Sequence, residues 1–294
     1  MPKKKPDDLL GAHVSIAGGV FNAPFNGKEA TCDVVQMFTK SSNQWRAKAL
    51  TDEDAEKFVA AQEETGIRVV CAHDSYLINL ASPDKSLYDK SYNAFFDEMR
   101  RCELLDVPNL VMHPGSHVGS GEETGLKQIA DSFNRMFDDD PGGKVTICLE
   151  TTAGQGTNLG YRFEQLAQII DMVENKDRVG ICLDTCHIFA AGYAISTENE
   201  YKASIKTFDR VLGLKKLRII HVNDSKKGFG SKVDRHEDIG KGEIGEKPFG
   251  FFLNDPKLAK IPKILETPKK SIADDIRNLN VLRSLVAKKK KDAK

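Results

Sequence analysis

VTICLE, residues 145–150, is a short apolar and β-branched run closed by a carboxylate. A strand that is apolar at nearly every position has both faces buried, as in parallel sheets covered by helices. The same form recurs as LLGAHV (9–14), DVVQMF (33–38), IRVVCAH (67–73), NLVMH (109–113), GICLD (180–184), LRIIHV (217–222) and IPKILE (261–266), making eight runs. Amphipathic segments lie between them. TDEDAEKFVAAQEETG (51–66) opens on a Thr51/Asp54 capping box and closes on Gly66. ETGLKQIADSFNRMF (123–137), YRFEQLAQIIDMVE (161–174) and SIADDIRNLNVLRSLV (271–286) also carry a helical period. Strand alternating with helix eight times predicts an α/β protein, a single (β/α)8 TIM barrel over residues 9–286. A doubly wound open sheet is the alternative, but it gives no reason for the number eight.

Composition allows such a core: 294 residues, 40% hydrophobic and 29% charged, is an ordinary globular balance. Net charge is zero, yet lysines gather at the ends, in residues 1–8 and 287–294, which are expected to be disordered tails. The body between them is therefore acidic, which disfavours nucleic acid unless bound cations change the sum. MPKKKPDD lacks the apolar core of a signal peptide, and no stretch approaches the roughly 20 apolar residues of a membrane helix. A cytoplasmic monomer without membrane contact is expected. The six cysteines form no C-x-x-C pair and read as reduced, buried thiols.

Six of the eight runs end in, or just before, a residue able to bind metal: His73, His113, Glu150, Asp184, His221 and Glu266. One such histidine is more often a structural residue. Six at one topological position are not, because all strand C-termini of a parallel barrel emerge on one face. DTCH places His187 three residues after Asp184, and the long loop before the last strand carries DRHEDIGKGEIG (234–245), with Asp234 and His236 on alternate positions. These nine residues exceed the needs of one four- or five-coordinate ion, so two or three ions are expected. Imidazole with carboxylate suits zinc, manganese or iron. Paired ions act on phosphate esters. No P-loop competes, and GKGEIG supports only a flexible glycine loop.

HVSIAGG (13–19), AHDSYLINLASP (72–83), MHPGSH (112–117), LETTAGQG (149–156), LDTCHIFAAGY (183–193), HVNDSK (221–226), DRHEDIGKGEIG (234–245) and LETP (265–268) together resemble, in order, the endonuclease IV family of apurinic/apyrimidinic endonucleases. The resemblance runs from about Leu10 to Leu285. It implies three Zn2+ ions, with Mn2+ in part: His73, His113 and Glu150 on the first; Glu150 as a bridge with Asp184, His221 and Glu266 on the second; His187, Asp234 and His236 on the third. It implies as substrate double-stranded DNA with abasic sites or blocked 3′ ends. The bond 5′ to the lesion would be hydrolysed by a metal-bridging hydroxide beside Glu150, giving a 3′-hydroxyl and a 5′-deoxyribose phosphate. DNA contacts would fall on Tyr76 and Leu77, and on Asn43, Gln44 and Arg46. Asn43 stands where family members often carry arginine. His117 is expected to orient His113 or a phosphate, and His13 to be a hydrogen-bonded structural residue. A sugar isomerase on a similar barrel and a zinc-dependent binder of damaged DNA are the rivals; the Asp234/His236 pair argues against the first, the complete ligand set against the second.

Overall fold

The computed structural model describes residues 9–287; the expected basic ends, residues 1–8 and all but Ala287 of 287–294, lie outside them. The strands are β1 (Leu10–Val14), β2 (Val34–Phe38), β3 (Arg68–His73), β4 (Asn109–Met112), β5 (Thr146–Glu150), β6 (Val179–Asp184), β7 (Leu217–His221), β8 (Asp224–Ser225), β9 (His236–Glu237) and β10 (Lys263–Leu265). Eight of them close a barrel in the order β1-β10-β7-β6-β5-β4-β3-β2, every pairing parallel. These are the eight runs read from the sequence, so the open-sheet alternative is excluded. β8 and β9 form a separate antiparallel pair in the loop before the last strand, which the sequence pattern had left without secondary structure.

Helices alternate with the barrel strands. The helix Asp52–Thr65 starts on the expected Thr51/Asp54 capping box and stops at Gly66, whose φ of +72° is cheap only for glycine. Helix faces and outward strand residues share one large core holding Phe58, Phe95, Phe133 and Phe208, all fully buried. Each such side chain contributes roughly 2–3 kcal/mol through removal from water.

Strand alternation builds the site. Val35, Leu110, Ile147, Ile181 and Ile220 face the helices and belong to that core. The opposite face supplies a second buried cluster, Val34, Cys71, Val111, Cys148, Cys182, Ile219 and Ile264, which plugs the barrel interior. Side chains repeat on one face every second residue. Two positions further along each chain stand Gln36, His73, His113, Glu150, Asp184, His221 and Glu266. An apolar layer thus carries a polar ring directly above it at the C-terminal mouth, and His13 joins the ring beside Gln36 in the β1–β2 ladder.

Candidate metal centre

The ring and the loop above it bring the nine candidate residues into three groups, the first two sharing Glu150: His73, His113 and Glu150; Glu150, Asp184, His221 and Glu266; and His187, Asp234 and His236. Within each group the ligand atoms lie within 4.8 Å of one another. In the first, His73 Nε2 is 3.1 Å and His113 Nε2 3.4 Å from Glu150 Oε2. In the second, His221 Nδ1 is 2.9 Å from Glu150 Oε1 and 3.1 Å from Glu266 Oε2. In the third, Asp234 Oδ1 lies 3.1 Å from His187 Nε2 and 3.5 Å from His236 Nε2. Ligands of one tetrahedral zinc stand about 3.3 Å apart, from bond lengths of about 2.0–2.1 Å. The spacing therefore fits donors around shared ions.

Hydrogen bonds fix which nitrogen faces inward. His73 Nδ1 donates to the Asp74 carbonyl at 2.9 Å, His187 Nδ1 to that of Thr151 at 2.8 Å, and His236 Nδ1 to that of Glu266 at 3.1 Å. His221 is turned the other way, its Nε2 donating to Gln36 Oε1 at 2.8 Å. A carbonyl only accepts, so one proton sits on the outward nitrogen and the inward nitrogen is left to face a metal or to take up a second proton, the arrangement of metal-ligating histidines. His187 Nε2 and His236 Nε2 are buried without a hydrogen-bond partner, close to Asp234 but out of alignment with it. Lone pairs facing carboxylates repel unless a cation lies between them. The residues present fit a metal group.

Electrostatics say the same. Burial pushes Glu150 and Glu266 up, yet His221 beside each of them, with His113 at Glu150 and His13 at Glu266, holds both well below the usual carboxylate range. Asp234 is lowered too, against burial, by His187 and His236. Burial opposes the charging of His221, but Glu266 and Glu150 raise it to about 10. His73 and His187 rise similarly. These three carboxylates thus draw positive charge into a largely buried site. Cys182 and Cys186 also lie within ligand distance. Burial raises both thiols, Cys186 to about 12, so they stay protonated, and all six cysteines are free and buried as expected.

The supporting residues were not all visible beforehand. Gln36, on β2, donates to Glu266 at 2.6 Å and pairs with His13 Nδ1 at 2.9 Å while accepting from His221. Its signal was a lone polar residue inside DVVQMF. Asn223 Nδ2 donates to Asp184 at 2.6 Å, and Asn223 Oδ1 accepts from the Glu266 amide at 2.7 Å. Asp184 caps the helix Thr185–Ala191 by accepting from the His187 amide at 2.7 Å, which brings His187 into the site. The reading of GKGEIG as merely flexible is corrected: buried Asp224 accepts from the amides of Gly240 (2.9 Å), Gly242 (3.0 Å) and Ile244 (3.0 Å), folding the loop around one carboxylate. Gly242 is required there, since a Cβ would lie 2.4 Å from the Ser225 carbonyl oxygen.

Tyr76 is 64% exposed at the mouth, its ring 5.7 Å from both Phe38 and His73. Leu77 and His113 line a cavity of about 250 Å³ with it. Asn43, Gln44 and Arg46 are exposed on the neighbouring loop. His117 Nδ1 accepts from the amides of Gly119 and Gly121, so these contacts hold its own loop. His13 keeps the hydrogen bonds expected of it. A larger cavity of about 990 Å³, lined by Tyr201, Ile205 and Phe251, shares no residue with the metal cluster.

The xylose isomerase-like TIM barrel family matches residues 26–285. The chain is 51% identical over 284 residues to the probable endonuclease 4 of Geobacter sulfurreducens, covering 96% of each. The crystal structure of endonuclease IV from Thermus thermophilus superposes with a TM-score of 0.82 at 34% identity, covering 94% of this chain and 98% of that one. A D-tagatose 3-epimerase-like protein shares the fold alone, with a TM-score of 0.72 at 16% identity and 94% and 96% coverage. Identity at this level over nearly the whole of both chains, on a barrel whose mouth gathers nine histidines and carboxylates, places the chain in the endonuclease IV family.

Proposed function

We propose that this protein is a DNA-repair hydrolase that cuts the phosphodiester bond 5′ to an abasic site in duplex DNA, leaving a 3′-hydroxyl and a 5′-deoxyribose phosphate. The same site clears phosphate and sugar fragments from blocked 3′ ends. The observation that carries the reading is Glu150, whose two oxygens serve two adjacent groups while a third group flanks them through His187, 3.3 Å from the same carboxylate. His73, His113 and Glu150 would hold one zinc, Glu150, Asp184, His221 and Glu266 the second, and His187, Asp234 and His236 the third, with manganese acceptable in part. Bound zinc supplies Lewis acidity, lowering the pKa of water towards 7 and neutralising phosphate charge.

The chain's own residues do the rest. Three divalent ions held by these four carboxylates would leave a formal excess of about +2, which would favour a phosphate at the mouth of an otherwise acidic body. Glu150 and its imidazole neighbours hold the reacting phosphate's surroundings rigid. Tyr76 and Leu77 stand at the mouth, where an aromatic or aliphatic wedge fills the gap left by an extruded nucleotide. Selectivity arises because a nucleotide without a base has no stacking or pairing to lose on leaving the duplex. Asn43, Gln44 and Arg46 offer further contacts from the adjoining loop. A sugar-isomerase reading leaves the His187–Asp234–His236 group without a task.

The test is incision of a labelled duplex with one synthetic abasic site by zinc-loaded protein, beside Glu150→Ala. A single 5′ cut ending in a 3′-hydroxyl, absent in the variant, is expected; an uncut duplex overturns the reading.

A further inference from the structure

Two loops carry the candidate DNA residues: the one after β2, with Asn43, Gln44 and Arg46, and the one after β3, with Tyr76 and Leu77. Neither is part of the barrel ladder, yet both are tied to a single buried ion pair. Lys40 Nζ lies 2.8 Å from Glu98 Oε1, and both side chains are 1% exposed. Lys40 also donates to the Gln44 carbonyl at 3.0 Å. Glu98 accepts from Thr39 Oγ1 at 3.2 Å and from the Ser75 amide at 3.1 Å. Ser75 Oγ closes the circuit by donating to the Ser42 carbonyl at 2.5 Å and accepting from the Leu77 amide at 3.3 Å. One turn further along the helix Lys85–Leu104, buried Arg101 donates to the Lys48 carbonyl at 2.7 Å and holds the far end of the first loop.

A buried ion pair is a poor source of net stability, because desolvation offsets its attraction. Here the pair instead supplies fixed hydrogen bonds to backbone that no strand or helix satisfies. Every hydrogen bond it makes besides the pair itself is to one of the two loops.

We propose that Lys40 and Glu98 are positioning residues for DNA: they lock the β2 and β3 loops in one relative register, so that Asn43, Gln44 and Arg46 meet the duplex together with Tyr76 and Leu77. The inference rests on the abasic-site reading above. It assigns discrimination for the damaged duplex to a side-chain pair that touches neither substrate nor metal cluster. Burial and neighbouring Asp74 push Glu98 up to about 7 against the pull of Lys40. Glutamine, which keeps one carbonyl acceptor, is the conservative replacement.

The experiment compares steady-state incision of an abasic duplex with hydrolysis of bis(p-nitrophenyl) phosphate, a diester with no duplex for the two loops to engage together, by zinc-loaded parent, Glu98→Ala, Glu98→Gln and the double variant Lys40→Met/Glu98→Leu. The double variant guards against misfolding, since an apolar pair of similar volume is tolerated where a lone buried lysine is not. KM for the abasic duplex is expected to rise about tenfold or more in Glu98→Ala and the double variant, with kcat and small-diester hydrolysis within about twofold of the parent. Glu98→Gln should recover most of the parent's KM. An unchanged duplex KM in the double variant overturns the inference, as does a parallel fall in both substrates. Failure of the parent itself to cut the abasic duplex overturns the functional reading, and the inference with it.

Discussion

At the scale of single residues, the site depends on which way four imidazoles are turned. Gln36 decides this for His221, because its carbonyl oxygen fixes the proton on Nε2 while its amide holds Glu266 and His13. Removing such an outer partner typically costs 10–100-fold in metal affinity or activity. Gln36→Leu should therefore weaken the group that contains His221 and Glu266 by about that factor, as read by zinc-competition titration, with the circular dichroism of the parent; unchanged affinity would refute the role. Asp234→Asn tests the flanking group separately. Only that group contains Asp234, so on the three-zinc reading proposed above bound zinc should fall by one ion per chain in elemental analysis while the other two stay. Loss of all three, or of none, contradicts the division into groups.

At the scale of elements, the loop between β7 and β10 is ordered from within by Asp224. Asp224→Ala would leave the amides of Gly240, Gly242 and Ile244 without their acceptor, and one buried unpaired group costs about 1–3 kcal/mol. A destabilisation of roughly 2 kcal/mol or more in denaturant titration is expected, with hydrogen-exchange protection lost first around residues 238–245; protection unchanged there would show that another acceptor orders the loop. This element also marks where sequence stops being informative. The eight strands were legible because their apolar runs have both faces buried, and the ligands because a polar residue closes each run two positions beyond an inward-facing apolar one. Gln36 obeys that same register, but an amide inside a strand does not announce metal chemistry. Asp224 and Glu98 were illegible for another reason. They accept from backbone amides 16 to 23 positions away, and backbone groups leave no trace in a residue pattern. The fold of the Asp234/His236 loop, and the pairing of the two rim loops, follow from such contacts.

At the scale of the whole molecule, the barrel closes an apolar plug beneath four carboxylates and five histidines, and this cluster should govern how stability depends on metal and pH. Metal that binds only the folded chain stabilises it by about 2.7 kcal/mol per site at a hundredfold excess over its dissociation constant. In a chain of this size 1 kcal/mol moves the melting temperature by roughly 2–4 °C, so chelation should lower it by several degrees. The size of that fall should depend on pH in a definite direction. Without metal, protons on His73, His187 and His221 supply the positive charge. His221 is raised from 6.5 to about 10, so its contribution is complete below 6.5 and is lost as pH climbs towards 10. Glu150, Glu266 and Asp234 are depressed, so theirs is present above the ordinary carboxylate range and disappears only on acidification. Between pH 6 and pH 9 the metal-free cluster therefore loses most of the stability that its imidazolium protons supply and keeps that of its carboxylates. Bound metal has the opposite dependence, because it requires the same nitrogens deprotonated. The gap in melting temperature between zinc-loaded and chelated protein should widen from pH 6 to pH 9, to roughly 10 °C or more at the upper end, when followed by calorimetry in matched buffers. A gap that stays constant or narrows would mean that protons and metal do not exchange for one another in this cluster.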